Sequence, residues 1–267
     1  MINFLPVQYS ELSKARLKYL ADLADPLDGM WEDAFFTHGK HWSIQLGDDV
    51  IGYCGANAEH ALLGFQIFGR RATEDYFQAC LRELGFKTAF VSTAEPTYLS
   101  LCLSNHASIE INALMYEDDG TDPSPGRFAD HTEYRLVSMS DFEKAISFGL
   151  EAIGPQREWL EGYYAERIET EELFGVWRND RLIGAGELRI SPSQPGIADV
   201  GMVVAPNARK QGLATEILRQ LRYDGRHRGY RVVCSTETDN FAAQKAIVKA
   251  GFFSKHRILD VKLAATA

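Results

Sequence analysis

One basic stretch in the C-terminal half carries the residue types and the spacing to bind an anion. Arg209, Lys210, Gln211 and Gly212 stand directly before Leu213, Ile217, Leu218 and Leu221, which recur at helical spacing. The first turn of a helix leaves backbone N–H groups without intrahelical partners, and the helix dipole adds positive potential there. A phosphate or pyrophosphate suits such an end. Gly212 lets the backbone come close to the ligand because no Cβ intervenes, and small Ala214 does the same one step into the helix. A Walker loop needs Gly-Lys-Ser/Thr after a longer glycine loop, and a dinucleotide fingerprint needs three glycines; neither is present.

The elements that must hold this loop follow from the flanking residues. Val200 to Ala205 is rich in β-branched residues and reads as a strand. The helix after the loop runs from about Gly212 to His227. Tyr230 to Ser235 is a second strand, Asn240 precedes Phe241-Ala242-Ala243, and the helix that starts there stops at Ala250-Gly251-Phe252. In plain structural terms Asn240 is an N-cap and Gly251 a helix-ending left-handed residue. The order of these pieces, Arg209-x-x-Gly212-x-Ala214 and then an Asn-led helix closing in Gly-Phe, resembles the acyl-coenzyme A signature of the GNAT (general N-acetyltransferase) superfamily.

The resemblance covers residues 133–263, and residues 3–117 more loosely. It implies an α/β (α+β) fold of two tandem GNAT-like units, each a mixed, mostly antiparallel twisted sheet flanked by helices. The sheet is expected to splay at its fourth strand, where the pantetheine arm of acetyl-CoA adds on through the backbone of Met202, Val203 and Val204, much as a peptide adds to a sheet edge. Arg209, Lys210, Gln211, Gly212, Leu213, Ala214 and Thr215 would hold the pyrophosphate, and Asn240 would reach the pantetheine or the thioester. No metal is expected. The implied chemistry is direct attack of an amine on the thioester, which needs a base for the ammonium, polarisation of the carbonyl, and a proton for the leaving thiolate. Glu187 is the first candidate base, with Glu237 second and Asp199 beside it; as strand-end acids each also reads as a solvated surface carboxylate. Many members carry a tyrosine as the acid where this chain has Ile247. Tyr230, Ser235 or Tyr223 would have to replace it, or the thiolate leaves unaided.

Read in order, the chain repeats itself. Ser10 or Glu11 to about Leu23 is an amphipathic helix, ended by Asp25 to Gly29. Trp42 to Leu46 and Val50 to Cys54 form a hairpin over Gly47-Asp48-Asp49. A strand over Ala61 to Phe68 leads to a helix from about Thr73 to Leu84; Lys87 to Ser92, Pro96 to Ser104 and Ile109 to Tyr116 are strand, helix and strand. An acidic, Pro- and Gly-rich stretch, residues 118–132, reads as a linker. The second half replays this order. A strand over Glu133 to Val137 precedes a capping box at Ser140 to Glu143, and a helix spans Gln156 to Ile168. A hairpin over Asn179-Asp180 follows, and Ala198 to Ala205 corresponds to Ala61 to Phe68. Aligning Gly64 with Gly201 and Ala72 with Ala214 leaves the first copy shorter where the second has its basic loop, and Thr97 stands where Asn240 would be. The expected organisation is 1–117, a degenerate GNAT-like domain without the pyrophosphate loop; 118–132, a linker; and 133–267, the acetyl-CoA-binding domain.

Composition narrows the alternatives. The 267 residues are 45% hydrophobic and 24% charged, ordinary for a globular protein and enough for two domains. A net charge of −9 disfavours nucleic acid and anionic membranes, and suits a cationic acceptor, a small-molecule amine or a protein amino group. With no signal-like N-terminus, no membrane span and four scattered cysteines that look like small buried hydrophobes, a cytoplasmic monomer is expected. His38 and His41 have helical metal-ligand spacing but no third ligand, and read as a surface pair. His227 and His256 read as exposed residues. Trp159, Tyr163 and Tyr164 are candidates for an aromatic acceptor wall, or for core. The alternative to an enzyme is a sensor or interaction module that binds acetyl-CoA without turning it over. A protein for another phosphate ligand leaves Asn240 and Gly251-Phe252 unexplained.

Overall fold

The computed structural model describes residues 2–69, 73–154 and 156–265. Ala72, aligned above with Ala214, lies outside them. The chain divides into two compact units. Unit 1 comprises the described residues of Met1–Met115, Pro192–Gln194 and His256–Ala267; unit 2 comprises Tyr116–Ser191 and Pro195–Lys255.

Unit 1 begins with β1 (Ile2–Val7) and α1 (Tyr9–Asp22). The Gln8 N–H donates to the Glu11 carboxylate at 2.7 Å and so caps α1, which buries Leu12, Arg16 and Leu20 at a four-residue interval. A π-helical stretch, Met30–Phe36, follows where the sequence had indicated no element. Asp28 caps it, its Oδ1 accepting the Trp31 N–H at 3.0 Å. Next come β2 (Lys40–Leu46), β3 (Asp49–Ala56), β4 (Leu62–Ile67), α2 (Thr73–Leu84), β5 (Thr88–Ser92), α3 (Pro96–Ser104) and β6 (His106–Asp118). The sheet of this unit runs β1-β2-β3-β4-β5, and the next strand is not β6. The C-terminal part of β12 (Phe252–Leu263) lies antiparallel to β5, with Ile258 opposite Ser92 and Lys262 opposite Thr88, and β6 follows it. Ile109 to Tyr116 lies within β6, the strand its alternation predicts, but the C-terminal part of the chain takes the place beside β5. Alternating strands carry little information about which partner they choose. Phe65, Phe77, Tyr98 and Val261 centre the core, and Cys54, Cys80 and Cys102 lie in it as free thiols.

Unit 2 repeats the order as β7 (Thr132–Leu136), α4 (Phe142–Ala152), α5 (Arg157–Glu169), β8 (Leu173–Arg178), β9 (Arg181–Ile190), β10 (Ile197–Val204), α6 (Leu213–His227), β11 (Arg231–Glu237) and α7 (Phe241–Lys249), then the start of β12. Its strands lie in the order β7-β8-β9-β10-β11. The β8–β9 hairpin turns through Asn179 and Asp180, both at positive φ, the tight turn that side chains of this type tolerate. The helix α6 seats Ile217 on bare β9 backbone: a Cβ at Gly184 or Gly186 would come within 2.9 Å or 2.6 Å of that side chain. The capping box sits two residues earlier than the expected Ser140–Glu143. Ser138 and Asp141 form it, because Asp141 also meets Arg135 at 2.7 Å and so has a charged partner that Glu143 lacks there.

Residues 118–132, read as a linker, lie along α6. Buried Arg222 donates to Asp118 at 2.8 Å, Asp119 at 2.7 Å and the Thr121 carbonyl at 2.8 Å, and the Gly126 and Arg127 N–H groups donate to Gln220 and Glu216. A Gly- and Pro-rich composition describes chain stiffness, not whether an arginine waits to hold the chain.

Candidate active site

The basic loop is built by a short 3₁₀ turn, Pro206–Ala208, then Arg209, then left-handed Lys210 (φ 63°) and left-handed Gly212 (φ 83°), which caps α6. Alternation of left-handed residues turns successive N–H groups to one side, the geometry of an anion nest. Among the described residues, the N–H groups of Lys210, Gln211, Gly212, Leu213 and Ala214 donate to no protein acceptor. Five consecutive donors thus stand at the positive end of a 15-residue helix.

Two expected members of this set do something else. Arg209 gives its N–H to Pro206, and its guanidinium to the carbonyls of Val204 and Ala152, each at 3.1 Å. It braces the loop. The Thr215 N–H donates to Gly212 at 3.0 Å, which leaves only its hydroxyl.

Beside the loop the sheet parts. The parallel β10–β11 pairing consists of Ile197–Arg231, Ala198–Val232 and Asp199–Val233, and β10 then continues to Val204 paired only with β9. The Ala205 N–H donates to Ile183, so the antiparallel register makes Val203–Ala185 and Gly201–Glu187 the hydrogen-bonded pairs. Met202 and Val204 therefore turn their backbone groups toward the gap, whereas those of Val203 face β9. One of three expected pantetheine contacts is thus oriented away.

Four side chains gather at the point of parting. Gly201 is their floor, since a Cβ there would come 3.1 Å from Arg189 Nη1 and 3.7 Å from Glu187 Oε2. Arg189 bridges Glu187 and Asp199, and Tyr163 of α5 donates to Glu187 at 2.5 Å. Glu187 and Asp199 are both buried, so neither is the solvated surface acid of the bland reading. Burial raises the Tyr163 hydroxyl, and the Glu187 charge pushes it further. Burial alone would lower the Arg189 guanidinium; the Asp199 and Glu187 carboxylates more than offset it. Three of these residues were in view in the sequence. Arg189 was not, although it stands two residues after Glu187 and so on the same face of a strand.

Of the aromatic trio, Trp159 stacks on Tyr163 at 4.9 Å and is 48% exposed, so those two form a wall. Tyr164 is core. Glu237 is exposed at the end of β11, with its carbonyl accepting from Asn240 and Gln244. The Asn240 side chain accepts the Ala243 N–H at 3.1 Å, the N-cap reading. Ile247 is buried and offers no proton. His41 is 4% exposed on the Phe36 carbonyl rather than at the surface, and His256 lies between Asp25 and Thr93 at 3.0 Å each. Among the described residues there is no cluster of three or more His, Cys, Asp or Glu fit for a metal ion, and no helix long and apolar enough to cross a membrane.

The likeness to known proteins agrees with this geometry. A model described as the acetyltransferase (GNAT) domain matches residues 8–119, and one described as the acetyltransferase (GNAT) family matches residues 136–252. A solved acetyltransferase of the GNAT family from Colwellia psychrerythraea is 32% identical, over 98% of this chain and 99% of that one, with a TM-score of 0.89. The chain belongs to the GNAT family of acetyltransferases. Its GNAT fold is shared, at 17% identity and TM-score 0.68 over the full length of both chains, by a tandem GNAT protein from the clavulanic acid biosynthesis pathway. It is shared too by a GCN5-related N-acetyltransferase from Sphaerobacter thermophilus, at 15% identity and TM-score 0.66 over 100% of this chain and 98% of that one. Among curated proteins none matches the sequence. GNAT membership implies acyl transfer from acetyl-CoA, and the two matched segments make this a tandem GNAT protein. The residues present fit that co-substrate: five serial donors suit a pyrophosphate, and an unpaired strand edge suits an amide-bearing arm.

Proposed function

We propose that this GNAT protein is an N-acetyltransferase that moves an acetyl group from acetyl-CoA to a primary amine. In this reading it works in the cytoplasm as a monomer, and unit 1 is a degenerate copy without the pyrophosphate loop. The observation that supports it best is the parting of β10 from β11 after Asp199–Val233, beside five N–H groups without protein acceptors. In this reading the loop holds the pyrophosphate, and the backbones of Met202 and Val204 take the pantetheine arm. Glu187 removes a proton from the ammonium, and the freed nitrogen attacks the thioester carbonyl. The N–C bond forms as the C–S bond breaks, and the second proton lost by the nitrogen passes to solvent or to the departed thiolate. Arg189 and Tyr163 fix the Glu187 carboxylate beside Gly201, and Asp199 balances Arg189 so that the cluster keeps net negative charge for a cationic acceptor. A simple thiol has a pKa of about 8.5, so the thiolate leaves without a dedicated acid, in keeping with Ile247. Glu237 is the second candidate base.

The test is calorimetric titration with acetyl-CoA, then thiol release against a panel of amines. Glu187→Gln is expected to lower turnover about 100- to 10,000-fold while leaving acetyl-CoA affinity unchanged. If Glu237→Gln alone has that effect, the base is assigned to the wrong carboxylate. Buried Ile247 and the ion-paired state of Glu187 favour one rival, a non-catalytic acetyl-CoA sensor. Binding without thiol release from any amine would establish it.

A further inference from the structure

Unit 1 holds a cavity of about 30 Å³ that neither the loop nor the acyl-transfer cluster uses. That is room for one or two groups the size of water. Its walls are aromatic: Trp31, Phe36 and Phe90 line it, with the Trp31 and Phe90 rings 4.7 Å apart. Three carboxylates and one arginine also line it. Arg16 grips Glu32 with Nε and Nη2, so these two charges cancel. Glu95 accepts from the Tyr19 hydroxyl at 2.9 Å and the Ser92 N–H at 3.2 Å, and its nearest cationic atom, Arg16 Nη1, is 4.0 Å away. Asp28 is 4% exposed; its Oδ1 takes the Trp31 N–H, and no described residue donates to its Oδ2.

Three buried carboxylates, Asp28, Glu32 and Glu95, thus face the cavity with one arginine among them, an arrangement that is unfavourable unless something positive enters. Burial pushes the Glu95 carboxyl up, and the Arg16 charge offsets this only in part. Aromatic faces beside carboxylates are the surroundings that attract an organic cation, and the volume admits a primary ammonium head and excludes a bulky quaternary one. The lining also includes Trp31, Glu32 and Phe36 from the π-helical stretch, a conformation found mostly at functional sites. We propose that unit 1 binds the head group of a primary alkylammonium in this cavity, against Asp28 and Glu95 and beside the Trp31 and Phe90 rings. The site is separate from acyl transfer and does not rest on it.

The experiment titrates propylammonium chloride into the full chain and follows binding by ligand-observed NMR, with tetraethylammonium chloride as the size control. Saturable binding of propylammonium alone is expected. Asp28→Asn keeps the Oδ1 cap on Trp31 and removes the charge, and it is expected to weaken the ammonium about tenfold or more while acetyl-CoA affinity stays unchanged. Glu187→Gln separates this cavity from the acyl-transfer cluster in unit 2, and propylammonium binding is expected to survive it. The proposal falls if propylammonium shows no saturable binding, if tetraethylammonium binds equally well, if Asp28→Asn binds as the parent does, or if Glu187→Gln abolishes binding.

Discussion

Gly64 of β4 and Gly201 of β10 hold matching places in the two units, and over each lies an arginine. A Cβ at Gly64 would come 3.3 Å from Arg16 Nη1, and one at Gly201 would come 3.1 Å from Arg189 Nη1. Each guanidinium faces two carboxylates, Glu32 and Glu95 in unit 1 and Glu187 and Asp199 in unit 2, with a tyrosine hydroxyl on one of them. The suppliers differ. Arg16 comes from α1 and packs on the Phe36 ring at 4.2 Å, sealed at 2% exposure; Arg189 comes from a strand beside a half-exposed aromatic wall. A buried cation with two acids over a glycine is thus common to both halves, so on the proposed division into a cofactor-bearing unit and one without it would not be what separates them. The proposed separating feature is the backbone beside it.

The sharpest way to break this comparison is to remove the arginines. Arg16→Met leaves Glu32 buried without its partner and is expected to lower unfolding free energy by about 3–5 kcal/mol in urea. Restoring an apolar pair with Arg16→Met/Glu32→Met is expected to recover most of it. Arg189→Met, where the arginine side chain is 17% exposed against 2% for Arg16, is expected to cost about 1–3 kcal/mol. Equal losses at the two sites would mean that the two clusters are equally dry, against the exposures above.

The backbone is tested by paired glycines. Gly212 and Gly69 both have positive φ, 83° and 74°, and open space around the Cβ position, so a side chain at either costs similar strain. Gly212→Asp sets a carboxylate among the five donors and is expected to weaken acetyl-CoA about 100-fold or more by calorimetry. Gly69→Asp is expected to leave that affinity unchanged. Loss of acetyl-CoA from the Gly69 variant would place the cofactor in unit 1 and overturn the proposed division of labour.

Much of this was legible in the chain. Leu213, Ile217, Leu218 and Leu221 announce α6; Asn179-Asp180 announces a tight hairpin; Pro96 starts α3 because it needs no N–H there. Gly212 and its neighbours announce free N–H groups at a helix start, though not the left-handed Lys210 that turns them to one side. What stayed hidden is non-local or lacks a period. Met30–Phe36 follows no helical or strand repeat, since its hydrogen bonds close over five residues. The pairing of β12 with β5 joins segments far apart in the chain, Thr88–Ser92 and Ile258–Lys262. Arg16 did leave a trace, as a charge on the apolar stripe between Leu12 and Leu20. Its partners Glu32 and Glu95 come from outside the helix, which no local pattern reports.

The smallest expected difference between the units lies in how each caps the helix after its first strand. Exposed Glu11 caps α1, whereas Asp141, under 10% exposed, is held at about 2 by the Arg135 guanidinium first and then by Ser138. A carboxyl lowered from its ordinary 3.8 stabilises the fold above about pH 4, and that contribution is lost as pH falls through about 2. Arg135 is 32% exposed, so solvent screening trims the full linkage value to about 1–2 kcal/mol. Asp141→Asn is therefore expected to destabilise by that amount at pH 7, with the gap to the parent closing as urea unfolding is repeated from pH 5 down to pH 2. Glu11→Gln is expected to shift stability by less than about 0.5 kcal/mol. A gap for Asp141→Asn that holds constant with pH would mean that the cap works through its hydrogen bonds alone and that the Arg135 charge contributes nothing.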